Sequence, residues 1–302
     1  MTTPIERIQN LMRDFTIEVT PGQAKKVEAF SDHLREGCNV AVTFLPGSDY
    51  NETIETAKRL RDEGFVPMPH FAARSITSQA EFEDFLGRCV NEAGVDSAVV
   101  LAGGVDKPLG PYDSSMALLE TGLFDKMGIK QIGVAGHPEG SPDINDEMLK
   151  QALAWKNSFA ERTDAHVYIA TQFVFEAAPI IAWDKALQAD GNKLPIHIGA
   201  PGLATIKTLM AHAKACGVGP SIRFLTRQAL NVAKLMTVSA PDKLITELAE
   251  YKATDPNCGI DKVHMYPLGG LKRSAFWSNA VVDGQFKMKS KGDGFDLTVD
   301  LP

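Results

Sequence analysis

Short runs of β-branched and apolar residues alternate with amphipathic segments along the chain. The runs lie at Phe15–Thr20, Asn39–Leu45, Val66–Ala72, Ser97–Leu101, Gln131–His137, His166–Phe173, Pro195–Ala200 and Lys262–Pro267. Between them, apolar residues recur every three or four positions. In Glu52–Glu63, for example, Ile54, Ala57 and Leu60 fall on one helix face. Ile5–Arg13 reads as a helix leading into the first run, and Leu203–Ala253 has no clear strand and reads as helical throughout. Several of the intervening helices run into a glycine (Gly37, Gly64, Gly94, Gly128, Gly191 and Gly217), the residue that closes a helix in the left-handed conformation without a Cβ penalty.

Strand–helix alternation predicts a parallel sheet with right-handed crossovers. Eight such units indicate an α/β protein, a closed (β/α)8 TIM barrel with extra helices between strands seven and eight. A doubly wound dinucleotide-binding sheet would carry its glycine fingerprint straight after the first strand. Here Pro21-Gly22-Gln23 follows, and no G-x-G-x-x-G opens any helix. The length of 302 residues corresponds to two average domains of about 150 residues, but also to one barrel of about 250. No linker or low-complexity stretch divides the chain, so residues 1–302 are expected to form a single catalytic barrel domain.

Composition narrows the class further. With 44% apolar and 23% charged residues the chain has the makings of an ordinary core, which excludes disorder. A net charge of −7 argues against a nucleic-acid partner, whose phosphates call for clustered Lys and Arg. No apolar run approaches the about eighteen residues of a membrane span, and the opening MTTPIERIQNLMRDF is too charged for a secretory signal. Cys38, Cys89, Cys216 and Cys258 form no C-x-x-C pair, as expected of reduced thiols in a cytoplasmic protein.

In a barrel the chemistry gathers at the C-terminal strand ends. Strand one offers Glu18, strand two Thr43, strand three His70, and strand four runs into Ala102-Gly103-Gly104-Val105-Asp106. Strand five ends in His137, strand six in Thr171-Gln172, strand seven in Ala200-Pro201-Gly202, and strand eight leads to Gly269-Gly270. A carboxylate in an apolar strand is costly to bury unpaired, which marks Glu18 for function or for a structural ion pair. His70, His137, His197 and His264 invite a metal-dependent hydrolase reading. Strand one has no H-x-H pair, however, and His197 and His264 precede their strand ends, where a structural role is expected. The strand bodies carry no lysine for Schiff-base chemistry apart from Lys262 at the entry to strand eight, and there is neither a G-x-S-x-G elbow nor a P-loop. What remains is one acid, one amide, imidazoles and glycine-rich loops. Such a set suits hydride chemistry on a large phosphate-bearing cofactor.

These motifs, in this order, resemble the methylenetetrahydrofolate reductase family over nearly the whole chain. FTIEVTPG is similar to the family's aromatic-x-E-x-x-P segment, which puts Glu18 at the catalytic glutamate. VAVTF places Thr43 at a flavin contact, and PMPHFAA places His70 near the isoalloxazine. IATQFVFEA resembles T-Q-F-F-F-D almost letter for letter and assigns Gln172 to the pterin; VHMYPLGGLKR sets Leu268 near the folate. The family lysine before strand six corresponds to Lys156, and the phenylalanine stacking on the substrate corresponds to His212.

The departures fall on flavin positions. The family's L-R-G-D reads Leu101-Ala102-Gly103-Gly104, and the strand-five tyrosine and second histidine read His137 and Ser141. Each lost charge-assisted contact is worth about 1.5–3 kcal/mol, roughly tenfold or more in affinity. The resemblance thus implies an oxidoreductase of one-carbon metabolism and methionine biosynthesis. It would interconvert 5,10-methylene- and 5-methyl-tetrahydrofolate with NADH or NADPH, through an FAD held weakly by Ala102, Gly103, Gly104, His137 and Lys156. A flavin-independent branch of the same family, passing hydride directly from NADH, is the alternative. Readings of other classes are a metal-dependent barrel hydrolase using His70 and His137, and a barrel that binds folate without turnover. Association of copies into a homo-oligomer is left open.

Overall fold

A computed structural model describes residues 2–215, 225–226 and 235–302. Eight parallel strands close into a barrel: β1 (Thr16–Val19), β2 (Asn39–Val42), β3 (Val66–Ala72), β4 (Ser97–Leu101), β5 (Gln131–Gly136), β6 (His166–Phe173), β7 (Ile196–Pro201) and β8 (Ile260–Tyr266). Each strand lies beside its sequence neighbours and β8 lies beside β1, the order that successive strand–helix units produce. All eight expected strands are present, with small shifts at their ends. β2 stops at Val42 rather than Leu45, although the Thr43 amide still donates to the Val19 carbonyl at 3.0 Å. β7 begins after Pro195, which has no N–H to give a ladder.

The opening helix spans Pro4–Met12, its start fixed by Thr3. The Thr3 hydroxyl accepts from the Glu6 amide (3.2 Å) and the Glu6 carboxylate accepts from the Thr3 amide (2.7 Å). Between β7 and β8 the expected extra helices Ile206–Ala215 and Asp242–Thr254 are found. The reading of Leu203–Ala253 as helical throughout is corrected by a short antiparallel ladder, Ala204–Thr205 with Val238–Ser239. Two-residue strands leave no periodicity to read. Cys216 and Gly217 lie outside the described residues. Gly94 closes the helix Gln79–Ala93 in the left-handed conformation (φ 57°), as expected.

The chain falls into two compact units. The first comprises Met1–Thr16, Gly136–Leu153 and Ala170–Pro302, and the second Ile17–Ala135 and Ala154–Ile169. The divisions cut through β1, β5, β6 and the helix Asp146–Ala160 rather than falling in linkers. In the second unit, Phe71 of β3 sits among Phe82, Phe85 and Phe124, with ring centroids 4.6–6.0 Å away. In the first unit, the hairpin Phe286–Met288/Phe295–Leu297 packs Phe295 against Trp277 (5.6 Å) and Phe286 (4.5 Å). Among the described residues Cys38, Cys89 and Cys258 form no disulfide, and no helix is long and apolar enough to cross a membrane.

Candidate functional site

In the second unit, strand register brings three of the expected residues to one side of the sheet. Glu18 is level with Ala41, and Ala41 with Met68; paired residues of parallel strands share a face. Two residues further along, Thr43 and His70 therefore project on the same face as Glu18. Ala41, Met68 and Val99 form a buried cluster there with Leu101 beside it, and the Tyr168 hydroxyl donates to the Met68 sulfur at 3.6 Å. Glu18, Thr43 and His70 are each half-buried; Glu18 is level with Ala41 and Met68 of this apolar floor, and His70 with Val99.

The loop after β4 is drawn in by its backbone. The Ala102 carbonyl accepts from the Arg74 amide at 2.8 Å, and the Arg74 carbonyl accepts from the Leu109 amide at 2.8 Å. Gly103 is left-handed (φ 94°), and a Cβ there would meet the Ala72 methyl at 3.1 Å. Ala102, Gly103 and Gly104 present peptide groups and one methyl, with no charge. Just past β5, the His137 carbonyl accepts from the Gly140 amide at 3.1 Å and starts a turn. Lys156 is 5% exposed, and its ammonium donates to the Ala135 carbonyl at 2.8 Å. Burial disfavours its charged form and brings its pKa down to about 8.

In the first unit, Gln172 shares a face of β6 with Ala170, and its peptide is clamped. The Thr171 hydroxyl donates to the Gln172 carbonyl (2.8 Å) and accepts from the Gly199 amide (2.9 Å), while the Tyr266 hydroxyl donates to the Thr171 carbonyl (2.8 Å). Leu268 and Tyr266 pack against an apolar cluster of Phe173, Ile206 and Leu209. His212 lies on the exposed side of the helix Ile206–Ala215, whose inward positions are Ile206, Leu209 and Ala213. Gly269 is pressed against the Leu203 carbonyl so closely that a Cβ would fall on the oxygen. The sequence reading does not single out Tyr266. Its only signal is a tyrosine at the end of an apolar strand, and its bond becomes visible only once β6 and β8 are placed.

The histidines expected to be structural are tied into the first unit. His264 Nδ1 lies 2.6 Å from the Thr16 hydroxyl, and His197 Nε2 lies 3.6 Å from Asp261. Burial brings the pKa of His197 down to about 4, so it is neutral near pH 7. Among the described residues no group of three or more His, Cys, Asp and Glu side chains could hold a metal ion, so the hydrolase reading finds no ligand set there.

Four buried side-chain atoms among the described residues have no hydrogen-bond partner: Thr43 Oγ1, Thr53 Oγ1, Arg61 Nε and Gln172 Oε1. Two of the four belong to expected site residues. Buried polar atoms are rarely left unsatisfied, and each costs about 1–3 kcal/mol when it is. Thr43→Val and Gln172→Leu, and equally the remote Thr53→Val, are therefore each expected to raise the stability of the ligand-free protein by about 1 kcal/mol in urea unfolding. A loss of stability in the first two would mean that their oxygens are satisfied in solution.

No family model matches the chain. Among solved structures, the chain is similar to an uncharacterized protein from Clostridium thermocellum that binds two copies of 5-methyl-5,6,7,8-tetrahydrofolic acid. The sequences are 14% identical, the match covers 93% of this chain and 98% of that one, and the TM-score is 0.52. At this identity the likeness shows a shared fold.

Proposed function

We propose that the chain is a methylenetetrahydrofolate reductase-like oxidoreductase that takes a reduced folate. The observation that carries the reading is the coincidence of unsatisfied buried oxygens with expected ligand positions: Thr43 Oγ1 and Gln172 Oε1. A carbonyl oxygen without a donor is suited to an N–H on the edge of a pterin ring. The folate bound by the Clostridium thermocellum protein of similar fold supports the same substrate class.

An FAD would need donors for its diphosphate. Of the positions expected to hold it, Lys156 alone carries a positive charge, and it is buried against the Ala135 carbonyl. Ala102, Gly103 and Gly104 offer no charge, and a Cβ at Gly103 would crowd Ala72. This donor set does not fit the diphosphate of a flavin dinucleotide, so no step is assigned to flavin. In the proposed reaction Glu18, as the neutral acid, gives its proton to the ring nitrogen of 5,10-methylene-tetrahydrofolate as the carbon–nitrogen bond breaks. The resulting iminium carbon accepts hydride from NADH or NADPH, which leaves oxidised, and 5-methyl-tetrahydrofolate is formed. Gln172 holds the pterin, Leu268 borders it, and Thr43 and His70 border the hydride donor.

The test is the rate of NADH and NADPH oxidation with methylene-tetrahydrofolate, measured before and after FAD is added. The proposal expects folate-dependent oxidation without FAD and a protein free of flavin absorbance. Activity that appears only with FAD would overturn the flavin-free step, and no activity in either direction would overturn the reductase reading.

A further inference from the structure

We infer that Tyr266 is a positioning residue, acting through the peptide of Gln172. The inference rests on the folate reading above and adds to it the device that aims its key amide. Gln172 sits near the end of β6 with a buried, unpartnered Oε1, so its usefulness to a ligand depends on where its own backbone is held. Three neighbours hold that backbone. Thr171 is fully buried; its hydroxyl donates to the Gln172 carbonyl at 2.8 Å and accepts from the Gly199 amide at 2.9 Å. Gly199 has no side chain to interfere: a Cβ there would stand 2.6 Å from the Gln172 carbonyl oxygen. The Val174 amide donates back to the Gly199 carbonyl at 3.1 Å, so the two strands grip each other on both sides of Gln172. Tyr266 completes the clamp from β8 by donating to the Thr171 carbonyl at 2.8 Å.

The tyrosine is itself fixed. Its ring meets Phe173 edge-on (5.5 Å, 68°) and His264 edge-on (4.8 Å, 85°), and His264 is anchored to the Thr16 hydroxyl at 2.6 Å. Edge-to-face contacts of this kind define a ring's orientation as well as burying it. The hydroxyl is thus a fixed point rather than a mobile donor, and the strand-six peptide is registered against it. A ligand that bonds to the Gln172 amide needs that amide held to within about 0.5 Å. Tyr266 needs no contact with the ligand to influence binding.

The experiment is a double-mutant cycle read by equilibrium binding of 5-methyl-tetrahydrofolate. Tyr266→Phe removes one hydroxyl and keeps the ring contacts. It is expected to weaken binding about 3- to 10-fold, the worth of one hydrogen bond, and to raise KM for folate while leaving kcat near that of the wild type. In a Gln172→Ala background the same change is expected to have no further effect on affinity, because its route is gone. Thr171→Val is expected to weaken binding similarly and Thr171→Ser to restore it; this pair carries the test if Tyr266→Phe fails to fold. Unchanged affinity in Tyr266→Phe, or an effect that persists in full without the Gln172 amide, would overturn the inference. Failure of the wild-type protein to bind the folate at all would instead overturn the proposed function on which it rests.

Discussion

Replacing Glu18 with glutamine is expected to lower folate-dependent NADH oxidation by about 10²–10⁴-fold, the usual contribution of a positioned general acid. The substitution keeps the size and shape of the side chain and removes only the transferable proton. Thr16, Ile17 and Val19, its neighbours in β1, are buried, so the strand itself does not depend on Glu18. Folding and folate binding should therefore survive. Rate measurements and a binding titration on the same preparation separate the possibilities. Retained turnover would remove Glu18 from the acid role, and loss of binding together with turnover would make it a substrate anchor instead.

Gly199→Ala is expected to destabilise the fold by about 1–3 kcal/mol, in the range of other substitutions that overfill a packed site. The added methyl would meet main-chain atoms, 2.6 Å from the Gln172 carbonyl oxygen and 2.7 Å from that of Thr171, and main chain has no rotamer through which to retreat. On the folate reading, the folate affinity of the folded fraction should fall as well, because the atoms displaced belong to the peptide that bears the amide proposed to hold the pterin. Gly22→Ala provides the contrast. Nothing lies within 4 Å of a Cβ there and its φ is not positive, so alanine in the short helix Pro21–Ala24 should be neutral or stabilising by about 0.4–1 kcal/mol. Equal unfolding midpoints for the two variants in urea would contradict the steric account.

Much of the barrel was legible in the chain because each strand carries a two-residue alternation and each helix a three- to four-residue one. The face shared by Glu18, Thr43 and His70 follows from that alternation once register is known, and register is what a single sequence does not supply. Thr43, Phe44 and Leu45 have strand-like composition beyond the end of β2 at Val42, and the Thr43 amide still reaches the neighbouring strand. Lys156 had a readable signal: it lies on the inward stripe of its helix, three residues before the buried Phe159. A lysine on an apolar stripe announces burial, but its partner is a backbone carbonyl, which has no mark in sequence. The need for glycine at position 269 is seen only in the tertiary structure, in the close approach of the Leu203 carbonyl. Tyr266 was hidden for the same reason, since its hydroxyl bonds to a main-chain atom 95 positions away.

The decisive comparison is a titration of 5-methyl-tetrahydrofolate into the wild-type protein and into Gln172→Leu, with the thermal stability of each recorded free of ligand. The folate reading predicts saturable binding by the wild type and, in the variant, affinity lower by about tenfold or more together with a higher melting temperature, because the lost oxygen serves the ligand and burdens the empty protein. Equal affinities, or a wild-type protein that does not bind, would contradict it.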